Sequence, residues 1–429
     1  MKQVFKNLQT INYWNQKPAF NTGYKRKFYL NTIKNSLNNK LIKVLVGQRR
    51  AGKSYIIRQI MEYLLMDKKI NQDNIFYLNK EMYEFELINQ ASALSELIEH
   101  YLLEIKPEGK IYIFIDEIQE IDGWEKIIVS LSQNPVRDYE IFITGSNSKL
   151  LSGELASNIA GRYIVFEIAP FSYVEFLDFY KLENNRHNFI RFFETGGLPE
   201  IYNIESEEIR KNYLNSLKDS ILLKDIMYRY KLRDYVLLED LFLFVIHNVG
   251  CLTSTPSIIK YFKSKNRRVD YTTISSYLTY MEEAFFILQS PRYHLKNKEL
   301  LSGEKKYYIN DLSFRNYLFP RLKTDFAAIL ENLVFTHLRI AGYQVFTGSD
   351  ADYEIDFIAF KDEATIYLQV AYLLESDKTI AREFGAFKNI KDHFSKYVLS
   401  MDEITLSSPE GIKHENIWDF LYLLLKSDV

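Results

Sequence analysis

The chain has 429 residues, 47% of them hydrophobic and 26% charged, with a formal net charge of -2 at pH 7. That length allows about two to four domains, and the composition is that of an ordinary globular protein. A near-neutral charge excludes wholesale attraction to nucleic acid, although a local patch can still bind it. The single Cys251 excludes an intrachain disulfide framework or a cysteine zinc cluster and fits a reducing cytoplasm. No apolar run reaches the roughly 18 to 20 residues that span a bilayer, so no membrane is expected. The start, Met1 to Asn7, lacks a signal-peptide core.

Residues 24–40 read as a polar, basic lead-in with helical character. Ile42 to Val46 is an apolar strand running into Gly47-Gln48-Arg49-Arg50-Ala51-Gly52-Lys53-Ser54, and Tyr55 to Ile60 continues as helix. In this strand, loop, helix setting, backbone N–H groups and the positive end of a helix converge on phosphate oxygens. All eight loop residues are therefore candidate nucleotide contacts, with Lys53 reaching the β- and γ-phosphates and Ser54 placing its hydroxyl on Mg²⁺. The plainer alternative is a glycine-containing turn that matches by chance. Arg49 and Arg50 have a second reading, facing solvent or a partner.

Ile111 to Ile115 reads as a buried parallel strand with Asp116 and Glu117 at its carboxyl end, where ligands of open α/β sheets gather. Asp116 suits Mg²⁺, and Glu117 suits polarisation of an attacking water. Alone, the pair would serve equally as a helix N-cap; the phosphate loop upstream favours catalysis. Glu140 to Ile143 is a further strand ending in Thr144-Gly145-Ser146-Asn147. Ser146 and Asn147 are candidates to sense the γ-phosphate or orient water, against a simple turn. Arg162, just before Ile164-Val165-Phe166, is a candidate arginine finger, acting within the chain or across a subunit interface, or else a surface arginine.

With these motifs in this order, residues 24–200 resemble the AAA+ superfamily, specifically the archaeal and bacterial ATPases of the AAA_14 type with a C-terminal DUF4143 region. Thr144-Gly145-Ser146, Leu150-Leu151-Ser152, Gly161-Arg162, Pro170 to Phe176 and Gly196-Gly197-Leu198-Pro199-Glu200 also carry the resemblance. It implies that Asp116 and Glu117 are the second nucleotide motif, that Ser146 or Asn147 is the sensor, and that a helical lid lies near 170–220. It also implies ATP rather than GTP, a choice the loop itself does not make because it reads phosphates and not the base.

Farther along, helices are expected at about 237–247, 255–264 and 272–284, and Phe285 to Leu288 could pair with Lys306 to Ile309 as the wing of a winged helix-turn-helix. This segment also resembles the winged-helix part of the same ATPases. Lys260, Lys263, Lys265, Arg267 and Arg268 form a basic cluster beside the third helix, a tentative nucleic-acid contact. Its Thr, Ser and Tyr content favours phosphate over base contacts, and a packing spacer with a wet basic face is the alternative. Arg292, His294, Lys296 and Lys298 add positive charge in the wing.

The last region pairs a helix at Ile329 to Leu338, containing Glu331, with strands at 343–346, 354–358 and 365–370. This order resembles the restriction-endonuclease-like fold, which implies acids from the helix and two strands, plus a lysine, around a divalent metal. Glu331 and Asp356 match the first two acids, whereas Gln369 and Ala371 stand where the third acid and the lysine are expected. The site reads as degenerate, and DNA cleavage is not expected. Lys361 and Lys378 are the lysines that could fill the gap. Glu331 has an alternative as an exposed or paired helix acid, and the alternation of Asp352, Glu354 and Asp356 as a solvated strand face.

The expected architecture is α/β: an AAA+ core over 1–169, a helical lid over 170–228, a winged helix over 229–309 and a degenerate nuclease-like domain over 310–429. The leading function is an ATP- and Mg²⁺-dependent switch or motor acting on DNA or a protein partner, with a homo-oligomer required if Arg162 acts in trans. The alternatives are a non-motor, ATP-dependent interaction module and an ATP-regulated nuclease.

Overall fold

Five strands build the first half: β1 (Ile42–Val46), β2 (Ile75–Asn79), β3 (Ile111–Asp116), β4 (Tyr139–Gly145) and β5 (Tyr163–Glu167). Every residue of β1, β3 and β4 is buried, as expected of apolar strands covered on both faces. In the computed structural model, which describes residues 1–14, 20–151, 161–320, 325–350, 353–406 and 411–426, they pair in parallel in the order β2-β3-β4-β1-β5. Ser152 and Asp352 lie outside the described residues. Parallel pairing puts all carboxyl ends on one edge, so the segments after β1, β3 and β4 meet there despite their separation in sequence. The helix Lys53–Met66 covers one face, burying Ile56, Ile57, Ile60, Met61 and Leu64 at helical spacing against Leu45, Phe114 and Phe142. Each such side chain stabilises the fold by roughly 1.5–3 kcal/mol.

Met1–Ile168 forms one compact unit and Ala169–Val429 a second. In the second, helices at Tyr173–Tyr180, Arg186–Thr195 and Glu207–Ser220 precede Tyr235–His247, Thr255–Ser264 and Tyr271–Glu283. The last three lie within about two residues of the expected positions. Gly196 and Gly197 wrap a buried carboxylate: Gly197 N–H donates to Asp311 Oδ2 at 2.7 Å. At Gly196, with φ 83°, a Cβ would stand 2.6 Å from Asp311 Oδ1, so the position needs glycine on two counts.

Eight strands make one mixed sheet here: β6 (Leu252–Thr253), β7 (Ile287–His294), β8 (Glu299–Ile309), β9 (Gln344–Asp350), β10 (Tyr353–Lys361), β11 (Ala364–Val370), β12 (Ser395–Ser400) and β13 (Lys413–Asn416). Their order is β13-β12-β11-β10-β9-β7-β8-β6. The hairpin β7-β8 is present as expected, with Ile287 opposite Ile309. It does not end a separate domain, however, because β7 continues in parallel register onto β9, with Arg292 opposite Thr347. The boundary expected at 309/310 therefore falls inside one continuous sheet. Among the described residues, no helix is long and apolar enough to cross a membrane.

Candidate active site

The loop after β1 depends on backbone conformations that few residues allow. Gly47 has φ 149°, and a Cβ there would stand 2.1 Å from the Ile168 carbonyl oxygen. Arg50 and Gly52 also take positive φ, 69° and 99°. Gly52, the N-cap of Lys53–Met66, has no side chain with which to cap that helix, so its first N–H groups suit another acceptor. Lys53, 4% exposed, folds back over the loop and donates to the Gly47 and Gln48 carbonyl oxygens at 2.9 and 3.2 Å. Gln48 is fully buried, and neither polar atom of its amide has a hydrogen-bond partner among the described residues. Leaving such a group unpaired costs about 1–3 kcal/mol, so this orphan fits a cradle completed by a ligand.

Asp116 and Glu117 close the same edge. The Thr144 hydroxyl at the end of β4 donates to Asp116 Oδ1 and accepts the Glu117 N–H at 2.9 Å. Burial and the neighbouring Glu117 push the Asp116 carboxyl up, while the Thr144 and Ser54 hydroxyls and Lys53 pull it back. Burial also pushes Glu117 up, but Lys53, at 3.8 Å, with Gln119, Arg49 and Ser146, outweighs it and holds that carboxyl below its ordinary value. Ser54 beside Asp116 supplies the hydroxyl and carboxylate that a hydrated Mg²⁺ takes. An ionised carboxylate next to them can hold a water for in-line attack. Ser146 and Asn147 are fully buried after β4, and Arg49 pairs with Glu81 at 2.5 Å while Arg50 is exposed.

Two residues of this site are not among the candidates named from the sequence, although Thr144 lies in a run that carries the family resemblance. Arg26 is 1% exposed, donates to the Ala51 carbonyl oxygen at 2.9 Å and lies 4.5 Å from the Tyr29 ring centre, bracing the loop from behind. Between Lys25 and Lys27 it looks like any lead-in cation. Thr144 stands in a plain strand-end run, where only the register singles it out from Ser146.

Arg162 stands elsewhere. Tyr163 lies opposite Ile42 at the start of β1, and the Arg162 carbonyl accepts the Ile42 N–H at 2.8 Å. The loop begins at the other end of this five-residue strand, about 13 Å away. The exposed guanidinium faces the Gln133 side-chain amide. This corrects the expectation of an arginine finger within the chain: parallel pairing puts Arg162 on the wrong edge of the sheet.

In the second unit, Lys260, Lys263, Lys265 and Arg268 are exposed, but Arg267 is not available as the cluster reading expects. It bridges Asp234 at 2.8 Å and Asp240 at 2.6 Å.

Glu331 and Asp356 lie close enough to interact, each 7% exposed, and Asp356 sits at a bulge in β10 between Ile355 and Ile358. This overturns the solvated-face and exposed-acid alternatives for these two residues. Gln369 turns to the backbone, its Oε1 accepting the Asp356 N–H at 3.2 Å, and Ala371 joins an apolar cluster with Ile355, Ile358 and Leu374. Lys378 is exposed and Lys361 lies 5.8 Å from the Tyr343 ring centre, so neither is the cation found among the acids. That cation is Lys306 of β8, 2.8 Å from Glu331, 2.8 Å from Glu354 and 3.4 Å from Asp356. Burial and Asp356 raise the Glu331 carboxyl to about 8 against the pull of Lys306 and Tyr308. Among the described residues, no group of three or more His, Cys, Asp or Glu side chains is arranged to hold a metal ion.

Residues 39–177 match the family described as an AAA domain, AAA_14, and residues 186–325 match a domain of unknown function, DUF8612, where a DUF4143 region is expected from the resemblance. An uncharacterized protein of Haemophilus influenzae is 33% identical over 400 residues, covering 92% of this chain and 98% of that protein. An uncharacterized protein of Methanocaldococcus jannaschii is 32% identical over 404 residues, covering 89% and 86%. Among solved structures, the Walker-type ATPase PABY2304 of Pyrococcus abyssi matches 69% of this chain and 96% of its own at 13% identity, with a TM-score of 0.46.

Proposed function

Since the chain belongs to the family of these Haemophilus influenzae and Methanocaldococcus jannaschii proteins and carries an AAA+-type ATPase domain, we propose that it binds and hydrolyses ATP as a switch or motor acting on DNA or a protein partner. The observation that carries this reading is the convergence of Lys53, Ser54, Asp116, Glu117 and Thr144 from three strand ends onto one edge of the sheet. Gly47 to Ser54 wrap the phosphates, Lys53 meeting the β- and γ-groups. Ser54 and Asp116 would hold Mg²⁺, which when bound would neutralise charge on the phosphoryl oxygens. Glu117, kept ionised by Lys53, orients the attacking water, with Ser146 and Asn147 near the γ-phosphate. Arg162 enters only as a finger offered to a neighbouring subunit, which makes a homo-oligomer part of that version.

The target is engaged by the second unit, with residues 170–228 as the moving lid. Helices Tyr235–His247, Thr255–Ser264 and Tyr271–Glu283, with β6 on the edge of the β7-β8 hairpin, support a winged helix-turn-helix. Exposed Lys260, Lys263, Lys265 and Arg268 favour a polyanion held through its phosphates. A non-motor interaction module is the second reading, favoured by the uncharged, exposed Tyr271 and Thr279 and by the internal use of Arg267.

Phosphate release by purified protein tests the assignment. Glu117→Gln is expected to retain ATP binding and lose turnover, and unchanged turnover would overturn the role of Glu117. A panel of DNA and RNA tested for binding and stimulation separates the two targets, and no response to any of them selects the interaction module.

A further inference from the structure

The buried charge cluster of the second unit contains its own cation. Lys306 is 3% exposed and rises from β8, where its backbone pairs with Leu252 and Ser290. An ammonium has three N–H donors, and three carboxylates surround this one: Glu331 Oε1 at 2.8 Å, Glu354 Oε1 at 2.8 Å and Asp356 Oδ1 at 3.4 Å. Of the remaining oxygens, Asp356 Oδ2 accepts the Val370 N–H at 2.8 Å, and Glu331 Oε2 lies beside the Gly250 backbone. The Tyr308 hydroxyl donates to Glu331, and the Gln369 amide is turned to the backbone of Asp356. Across the cluster, Glu383 is held by Arg382 at 2.8 Å.

Carboxylates gathered from a helix and a strand in a buried site need a counter-cation or a proton to offset their mutual repulsion and desolvation. A Mg²⁺ ion would need oxygens at about 2.0–2.1 Å in near-octahedral array. Instead, an ammonium stands among them at hydrogen-bond distances, on a stem fixed in the sheet. Being tethered, it competes at a high effective concentration with any free ion. Its displacement would leave a buried ammonium without partners, which is strongly destabilising.

We propose that Lys306 is a built-in cation that takes the place of a divalent metal ion among Glu331, Glu354 and Asp356 and closes this site to metal-dependent phosphodiester hydrolysis. The ATPase reading of the first unit is not required for this. Mn²⁺ titration of the nucleotide-free full-length chain, followed by the electron paramagnetic resonance of free Mn²⁺, tests it. Wild type is expected to show no Mn²⁺ binding that Asp356→Asn removes. Lys306→Met is expected to gain a bound Mn²⁺, lost again when Asp356→Asn is added. A folded Lys306→Met variant with no gain overturns the proposal. So does Asp356-dependent Mn²⁺ binding by wild type, or nicking of supercoiled plasmid by wild type that Asp356→Asn abolishes. These two wild-type comparisons decide the matter even if Lys306→Met does not fold.

Discussion

The Thr144 hydroxyl donates to the Asp116 carboxylate across adjacent parallel strands, and the same oxygen accepts the Glu117 N–H, so one side chain sets both acids. Valine keeps the shape of threonine and removes both bonds. Thr144→Val is expected to lower steady-state phosphate release by ~10- to 100-fold, the usual cost of losing a group that orients a metal-binding or catalytic side chain. Thr144→Ser should keep most of the rate. Equal rates for valine and wild type would show that Thr144 positions nothing that turnover requires.

Toward the amino end of the same sheet, Lys43 and Glu140 pair on neighbouring strands with no more than 1% of either side chain exposed, and Lys110 adds a second contact to Glu140 at 3.0 Å. Glu140→Ala leaves the Lys43 ammonium buried in the sheet with, among the described residues, the Asn39 side chain at 2.9 Å and the Phe142 ring 5.9 Å away. A loss of about 3–5 kcal/mol is expected in urea unfolding. The double variant Lys43→Met, Glu140→Leu should recover most of it, because the desolvation cost leaves with the charge.

His337, 1% exposed, accepts the Tyr173 N–H at 3.0 Å through Nε2 and donates from Nδ1 to the Leu333 carbonyl at 2.8 Å, which requires the neutral ring. Burial lowers its pKa to about 4, against the opposing pull of the Leu333 carbonyl and Glu175. Between that value and the ordinary 6.5, the unfolded chain binds more protons. Its contribution is therefore complete above about pH 6.5 and is lost as pH falls toward 4, by about 3 kcal/mol in total. Denaturant midpoints measured across this range for wild type and His337→Gln check it: the variant should lack this part of the acid sensitivity, and parallel curves would refute it.

Arg267 and its lysine neighbours should separate cleanly in experiment. Arg267→Ala breaks partly exposed bridges to Asp234 and Asp240 and is expected to cost about 1 kcal/mol of stability. It should leave the salt dependence of DNA binding unchanged. Alanine at Lys260, Lys263, Lys265 or Arg268 should leave stability alone, and each phosphate contact removed should flatten the log K against log salt slope by about one. Fluorescence anisotropy over a salt series reads both. Loss of slope on Arg267→Ala would mean that the bridges open to free this guanidinium.

The sequence by itself was enough for whatever local chemistry dictates. The strand, loop and helix of 42–60, the acids closing the apolar run at 111–115, and the three helices between 235 and 283 all declare themselves through periodicity, glycine and charge within a few residues. Only the tertiary structure decided which distant residues became neighbours. Parallel register carried Arg162 to the edge away from Gly47 and singled out Thr144 over equally polar residues beside it. The joining of β7 to β9 merged two expected domains into one sheet, and it placed Lys306 among Glu331, Glu354 and Asp356, where no spacing from any of the three acids would have put a lysine. The physical reason is common to all of these. Side-chain alternation says which face of a strand is buried, but the partner strand is chosen by long-range packing, and a charge has no role until that choice is made.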